Sequence, residues 1–150
     1  MEPGQQLRSP LVVLWTEDDE NDRLMITLAI ERSGRVLKLM FVEDGDMAWQ
    51  YLNGTGKYLD REEFPAPHAL VTDLKMPRCS GFELVERIRG DNRFKGLPLF
   101  VFSASDLAVD RRAAQQLGVD GYITKPTGFG LWSSTVVSVV DRAAAHLCAA

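Results

Sequence analysis

Five short apolar runs, rich in β-branched and aromatic residues and separated by longer stretches of helical periodicity, restrict the fold of this chain more than any other feature. Strands that alternate with helices are buried most readily as a parallel sheet with helices on both faces. The first run, Leu11 to Thr16, is almost entirely apolar, as suits a strand covered on both sides, and stops at Glu17-Asp18-Asp19-Glu20. Leu24, Met25, Leu28 and Ala29 then recur at helical spacing up to Ser33-Gly34, a natural helix stop. Val36 to Val42 forms the second strand of this reading and Asp46 to Leu52 a short second helix. Residues 53–67 carry Gly54, Gly56, Pro65 and Pro67 and are expected to be a polar surface loop. Ala69 to Thr72 is the third strand, Gly81 to Arg89 a helix with Leu84, Val85 and Ile88 inward, and Leu99 to Phe102 the fourth strand. A helix from Asp106 to Leu117, a fifth strand from Gly121 to Thr124 and a last helix from Leu131 to Leu147 complete five strand–helix units. The reading is one α/β domain over residues 11–150, preceded by an extension over residues 1–10, with no output domain.

Composition narrows the function. A chain of 150 residues, 45% hydrophobic and 25% charged, can bury a core without disulfides or structural metal. A net charge of −4 gives no basic footprint, so neither direct DNA binding nor an anionic membrane surface is expected. No apolar run reaches the roughly 18 residues of a membrane span. Cys79 and Cys148 are far apart and lack zinc or redox spacing, which fits a reducing cytoplasm.

In open parallel sheets, ligands bind beyond the carboxyl ends of the strands. Those ends here carry Glu17-Asp18, Asp73, Ser103 and Lys125-Pro126. Each has a simpler reading alone: acidic residues complement a helix dipole, an Asp or Ser closes a turn or caps a helix, and a Lys is a solvated charge. Their convergence changes the argument. Carboxylates held together either raise a pKa or recruit a cation. Oxygen donors without nearby His or Cys suit Mg²⁺, which takes one or two protein carboxylates and keeps several waters. Phosphoryl transfer needs in-line positioning and charge neutralisation, and an aspartate can accept the group as an acyl phosphate. Asp73 would attack, while Mg²⁺ and Lys125 stabilise the equatorial oxygens and Ser103 donates to the attached phosphoryl group.

The set Glu17-Asp18, Asp73, Ser103 and Lys125-Pro126, with TDLKMPRCSGFEL from Thr72, VFSAS from Val101 and GYITKP from Gly121, resembles the receiver domains of bacterial response regulators. The likeness covers about Leu11 to Leu147. It implies a flavodoxin-like, doubly wound (βα)5 sandwich with strand order 2-1-3-4-5. It further implies phosphorylation of Asp73 by a sensor histidine kinase, with Mg²⁺ held by the carboxylates of Asp18 and Asp73, the backbone carbonyl of Lys75 and, through water, Glu17. By the same resemblance Ser103 and Tyr122 form the switch pair, and the Lys125–Pro126 peptide is cis. Trp15 and Thr16 replace the small aliphatic residues usual before the acidic pair, and Trp15 is read as a core residue. The long 53–67 segment is similar to that of single-domain regulators paired with bacterial phytochromes, and a homodimer along the last helix is compatible with its small residues. The downstream protein target is not indicated.

Two other functions compete with this switch. An aspartyl-phosphate phosphatase would use the same Asp, Mg²⁺ and Lys, but usually places a second Asp two residues after the nucleophile, where this chain has Lys75. A non-phosphorylated interaction module would have no use for the full Asp, Ser and Lys set. The expected role is therefore a switch and not an enzyme. His68, before the third strand, and His146, near a helix C-terminus, lack partners for catalysis in these motifs.

Overall fold

A computed structural model describes residues 10–148. The extension expected over residues 1–10 thus lies, apart from Pro10, outside the described residues. Five strands, β1 (Leu11–Thr16), β2 (Leu37–Val42), β3 (Ala69–Thr72), β4 (Leu99–Ser103) and β5 (Gly121–Thr124), alternate with helices α1 (Glu20–Ser33), α2 (Gly45–Asn53), α3 (Gly81–Arg89), α4 (Ala108–Leu117) and α5 (Trp132–Cys148). The sheet is parallel throughout and ordered β2-β1-β3-β4-β5, the doubly wound order expected from the sequence. The crossover direction reverses after β2, which puts α1 and α5 together on one face and α2, α3 and α4 on the other.

Strand alternation sorts the core into two layers. Val13, Trp15, Ala69, Val71, Phe100 and Phe102 point towards α1 and α5, where they meet Ile26, Ile30, Trp132, Val136 and Val139. Leu14, Leu70 and Leu99 point the other way, against Tyr51, Leu84, Val85 and Ile88. Full burial of each such side chain stabilises the fold by about 1.5–3 kcal/mol. Trp15 is wholly buried and packs edge-on to Phe102 at 5.6 Å, and Phe102 in turn packs edge-on to Trp132 at 5.5 Å.

Local signals set the helix ends. Asp19 caps α1 by accepting from Asp22 N at 2.9 Å, and Gly34 ends it at φ 72°, a left-handed conformation that suits glycine. Asp44 caps α2 through Met47 N, and Ser80 caps α3 through Glu83 N.

The 53–67 segment is the expected surface loop, with only Tyr58 buried, but specific contacts pin it down. It contains a 3-10 turn at Gly56–Tyr58, and Tyr58 and Phe64 pack with Tyr51 at ring separations of 5.0–6.0 Å. Arg61 donates to the carbonyls of Tyr51 (2.9 Å), Leu52 (2.9 Å) and Phe64 (3.1 Å), tying the segment to the last turn of α2. The segment is a polar surface loop anchored at Tyr58, Arg61 and Phe64.

Candidate functional site

Backbone bonds between strand ends bring the chemical groups to one rim of the sheet. Asp73 N donates to Thr16 O (3.1 Å), Glu17 N to Val42 O (3.0 Å) and Lys125 N to Ser103 O (2.7 Å). The residue that follows β1, β3 and β5 is therefore locked to a neighbouring strand, and the ionisable side chains of Glu17, Asp73 and Lys125 are buried.

Lys125 is the hub. Its Nζ donates to Glu17 Oε2 at 2.8 Å, Asp22 Oδ2 at 2.7 Å and Asp73 Oδ2 at 2.7 Å, which uses all three donors of the ammonium group. Burial alone would lower the Lys125 pKa, but the bonds to Asp22, Asp73 and Glu17 outweigh it and hold the ammonium above its ordinary value. Burial pushes the Glu17 carboxyl up to about 7, with the Lys125 bond opposing and the Asp73 charge adding to the rise. Asp73 is further positioned by Leu74 N, which donates to its Oδ1 at 2.6 Å. Asp22, one turn into α1, is a site residue that the sequence reading missed; its partner lies 103 residues away, beyond any local pattern.

The Lys125–Pro126 peptide, expected to be cis, is trans, since the described residues contain no cis bond. The trans form is the default for X–Pro bonds. With it, Nζ already reaches three carboxylates, so placing the amine does not require the rarer isomer.

Glu17, Asp18 and Asp73 offer carboxylate oxygens that all lie within 4.8 Å of one another, with Asp18 exposed and the other two buried. An all-oxygen anionic set with one open side fits a hard divalent cation that retains water. Lys75 follows at the exposed start of the β3–α3 loop. That loop is pulled tight where Gly81 N donates to Leu74 O at 3.0 Å, and a Cβ on Gly81 would lie 2.1 Å from Asp73 O. Gly81 is required here for close backbone approach rather than for an unusual φ.

Ser103 is buried, and its Oγ accepts from Ser105 N at 3.2 Å. Tyr122 is turned inward, donates to Ser105 O at 2.8 Å and lies under the Arg111 guanidinium, 4.6 Å from the ring centre. The two residues singled out as a switch thus hold the same peptide segment, one through the N–H of Ser105 and the other through its carbonyl. Ser105 also bonds Asp110 through its hydroxyl. The histidines lie elsewhere: His68 Nδ1 accepts from Val12 N at 2.9 Å, and His146 Nε2 pairs with Asp120 at 3.1 Å.

Comparison with known proteins yields a consistent set. A family model described as the response regulator receiver domain matches residues 13–132. Response regulator Rcp1 of Synechocystis sp. is 29% identical over 116 residues, 77% of this chain and 77% of that protein. Its Mn²⁺-bound crystal structure aligns with a TM-score of 0.78 at 27% identity, covering 87% of this chain and 91% of that one. Response regulator RPA3017, in red light signaling of R. palustris, aligns with a TM-score of 0.81 at 29% identity over 86% of this chain and 90% of that one. The phosphorylated cyanobacterial phytochrome response regulator RcpA aligns with a TM-score of 0.81 at 26% identity over 89% and 93%.

Proposed function

The chain belongs to the response regulator receiver domain family, and from that premise we propose that it is a cytoplasmic phosphorylation switch, not a turnover enzyme, that accepts a phosphoryl group on Asp73. The observation that carries this reading is the 2.7 Å contact of Lys125 Nζ with Asp73 Oδ2 beside the Glu17, Asp18 and Asp73 oxygen cluster. An anionic acceptor, a cation site and a fixed ammonium are the parts phosphoryl transfer requires. The phosphodonor is a phosphohistidine of a sensor kinase. Likeness to RcpA, a cyanobacterial phytochrome response regulator, and to RPA3017, in red light signaling, favours a phytochrome-type kinase.

In the transfer, an Asp73 carboxylate oxygen attacks phosphorus. The P–N bond to imidazole breaks, its electron pair stays on the nitrogen, and an acyl phosphate remains on Asp73. Mg²⁺ would be held by the carboxylates of Asp18 and Asp73, the Lys75 backbone carbonyl and, through water, Glu17, and when bound it neutralises charge on the phosphoryl oxygens. Lys125 exchanges its Asp73 bond for a phosphoryl oxygen, and Ser103 turns its hydroxyl towards the same group. Loss of the Ser103–Ser105 bond loosens the segment that Tyr122 also holds, so occupancy of the site reaches the β4–α4 surface.

The test is incubation of wild type and Asp73→Asn with acetyl phosphate, with and without Mg²⁺, followed by intact-protein mass spectrometry. An adduct that needs both Mg²⁺ and Asp73 supports the reading. Equal labelling of Asp73→Asn overturns it.

A further inference from the structure

We infer that Asp22 is a positioning residue of the phosphotransfer site: it holds Lys125 in place while the other two carboxylates change partners. The inference rests on the reading of Asp73 as phosphoacceptor and deepens it. Lys125 has three donors and spends them on Glu17, Asp22 and Asp73. Two of those acceptors are committed elsewhere during the reaction. Asp73 loses its free carboxylate when the acyl phosphate forms, and Glu17 lies in the oxygen cluster that suits the cation. Asp22 is outside that cluster. It sits on α1, its backbone N–H is tied to the Asp19 cap at 2.9 Å, and its side chain retains 26% exposure.

A flexible four-carbon stem with a buried head needs a fixed point if its charge is to meet a phosphoryl oxygen rather than follow Glu17. Neither Glu17 nor Asp73 can serve, since each is drawn to the incoming groups. A carboxylate that reaches Nζ at 2.7 Å from a rigid helix can. The partly exposed location also makes Asp22 replaceable without burying an unpaired charge, because Lys125 keeps two other carboxylates in the resting protein.

Two opposite effects are separable. If Asp22 positions Lys125, its loss weakens engagement of a phosphoryl group; if Asp22 only competes for the ammonium or adds negative charge, its loss strengthens it. The probe is the phosphoryl mimic beryllium trifluoride with Mg²⁺, titrated by ¹⁹F NMR on wild type, Asp22→Ala, Asp22→Asn, Lys125→Ala and the Asp22→Ala/Lys125→Ala double variant. Thermal melts check folding. Asp22→Ala is expected to bind about five- to tenfold more weakly, as befits a lost charge-assisted hydrogen bond. Asp22→Asn, which keeps an acceptor for Nζ, should recover to within about twofold of wild type, and Asp22→Ala should have no further effect once Lys125 is removed. Unchanged or tighter binding by Asp22→Ala, equal losses in the Ala and Asn variants, or additive effects in the double variant would each overturn the inference. Acetyl phosphate labelling of wild-type Asp73 separates the two levels: labelling with additive variants sinks the role of Asp22 alone, whereas absence of both labelling and mimic binding in wild type sinks the reading beneath it as well.

Discussion

Replacing Gly81 with alanine should damage stability and chemistry together, because the added methyl collides with the backbone of Asp73, the proposed phosphoacceptor. The Cβ would lie 2.1 Å from Asp73 O, 2.8 Å from Leu74 Cα and 2.9 Å from Asp73 C. Ordinary contact begins near 3.4 Å, so more than an ångström must be found, and no flexible side chain is there to yield. The Gly81 N–H to Leu74 O bond, 3.0 Å long, opposes widening of the loop. Overpacking of this kind costs about 1–3 kcal/mol, and a backbone clash belongs at the upper end. A loss of about 2–3 kcal/mol lowers Tm by ~4–12 °C in a chain of this size. If the clash is relieved by moving Asp73, an ångström of misplacement lowers phosphotransfer by on the order of 100-fold. Thermal melts and acetyl phosphate labelling rates read the two effects. Gly128→Ala, with nothing within 4 Å of its added Cβ, is the control and should match wild type. A Gly81→Ala protein that melts and labels like wild type would refute the claim that close approach, rather than helix initiation, requires this glycine.

Three further outcomes follow from the same structure. Arg61→Ala removes a guanidinium that bonds three carbonyls at the end of α2 and in the following segment, and should cost about 2–3 kcal/mol in urea unfolding; a change under about 0.5 kcal/mol would show the segment to be loosely held. Glu17 is raised to about 7 from 4.5, so its contribution to stability is complete below pH 4.5 and is lost as pH rises through about 7. Lys125, held above its ordinary value, stays charged across that window. Metal-free protein should thus become less stable as pH rises from about 4.5 to about 7 and then level off, while Mg²⁺ affinity, measured by calorimetry, rises over the same interval as protons leave the site; parallel trends would contradict the assignment of Glu17 to the metal. Burial pushes the Cys79 thiol up to about 11, so in a Cys148→Ser background labelling by a disulfide reagent at pH 8 should be on the order of 100-fold slower in native than in urea-unfolded protein. Comparable rates would place the thiol in solvent.

The central strands β1, β3 and β4 were legible because a run buried on both faces is nearly all apolar, and all five strands begin and end within a residue of their expected limits. Val36 falls outside β2 because it is 82% exposed and has no strand partner. Helix ends were less legible where a side chain acts across the boundary: Asp44, not Asp46, organises the start of α2. Composition marked 53–67 correctly as a surface loop through its Gly, Pro and charged residues, but could not show that Arg61 and two aromatic rings tie it down through tertiary contacts. Of the residues named from strand ends, Glu17 and Asp73 contact Lys125 Nζ, Asp18 shares their oxygen cluster, and Ser103 meets Lys125 only through the backbone. Asp22 escaped because nothing in a helix N-terminus rich in acids marks one carboxylate as the partner of a distant lysine. The prolyl bond was expected to be cis from resemblance alone, and here the structure differs.

The arrangement also divides rigid parts from movable ones. Glu17, Asp73 and Lys125 are fixed through their own backbone N–H groups to adjacent strands, and beneath Lys125 lies the edge-packed series Trp15, Phe102 and Trp132, with Nζ 5.9 Å from the Phe102 ring centre. A dense aromatic floor has two consequences: it cannot be displaced cheaply by arriving charge, and it keeps the ion pairs from relaxing into solvent. The segment beyond β4 is the less constrained side: Asp106, Leu107, Ala108 and Val109 are exposed, and its ties include the bonds of Ser103, Tyr122 and Asp110 to Ser105. For the proposed switch, this asymmetry predicts that phosphorylation of Asp73 raises hydrogen exchange in the segment beyond β4 and leaves that of β1 and the aromatic floor unchanged; an equal response in both would contradict it.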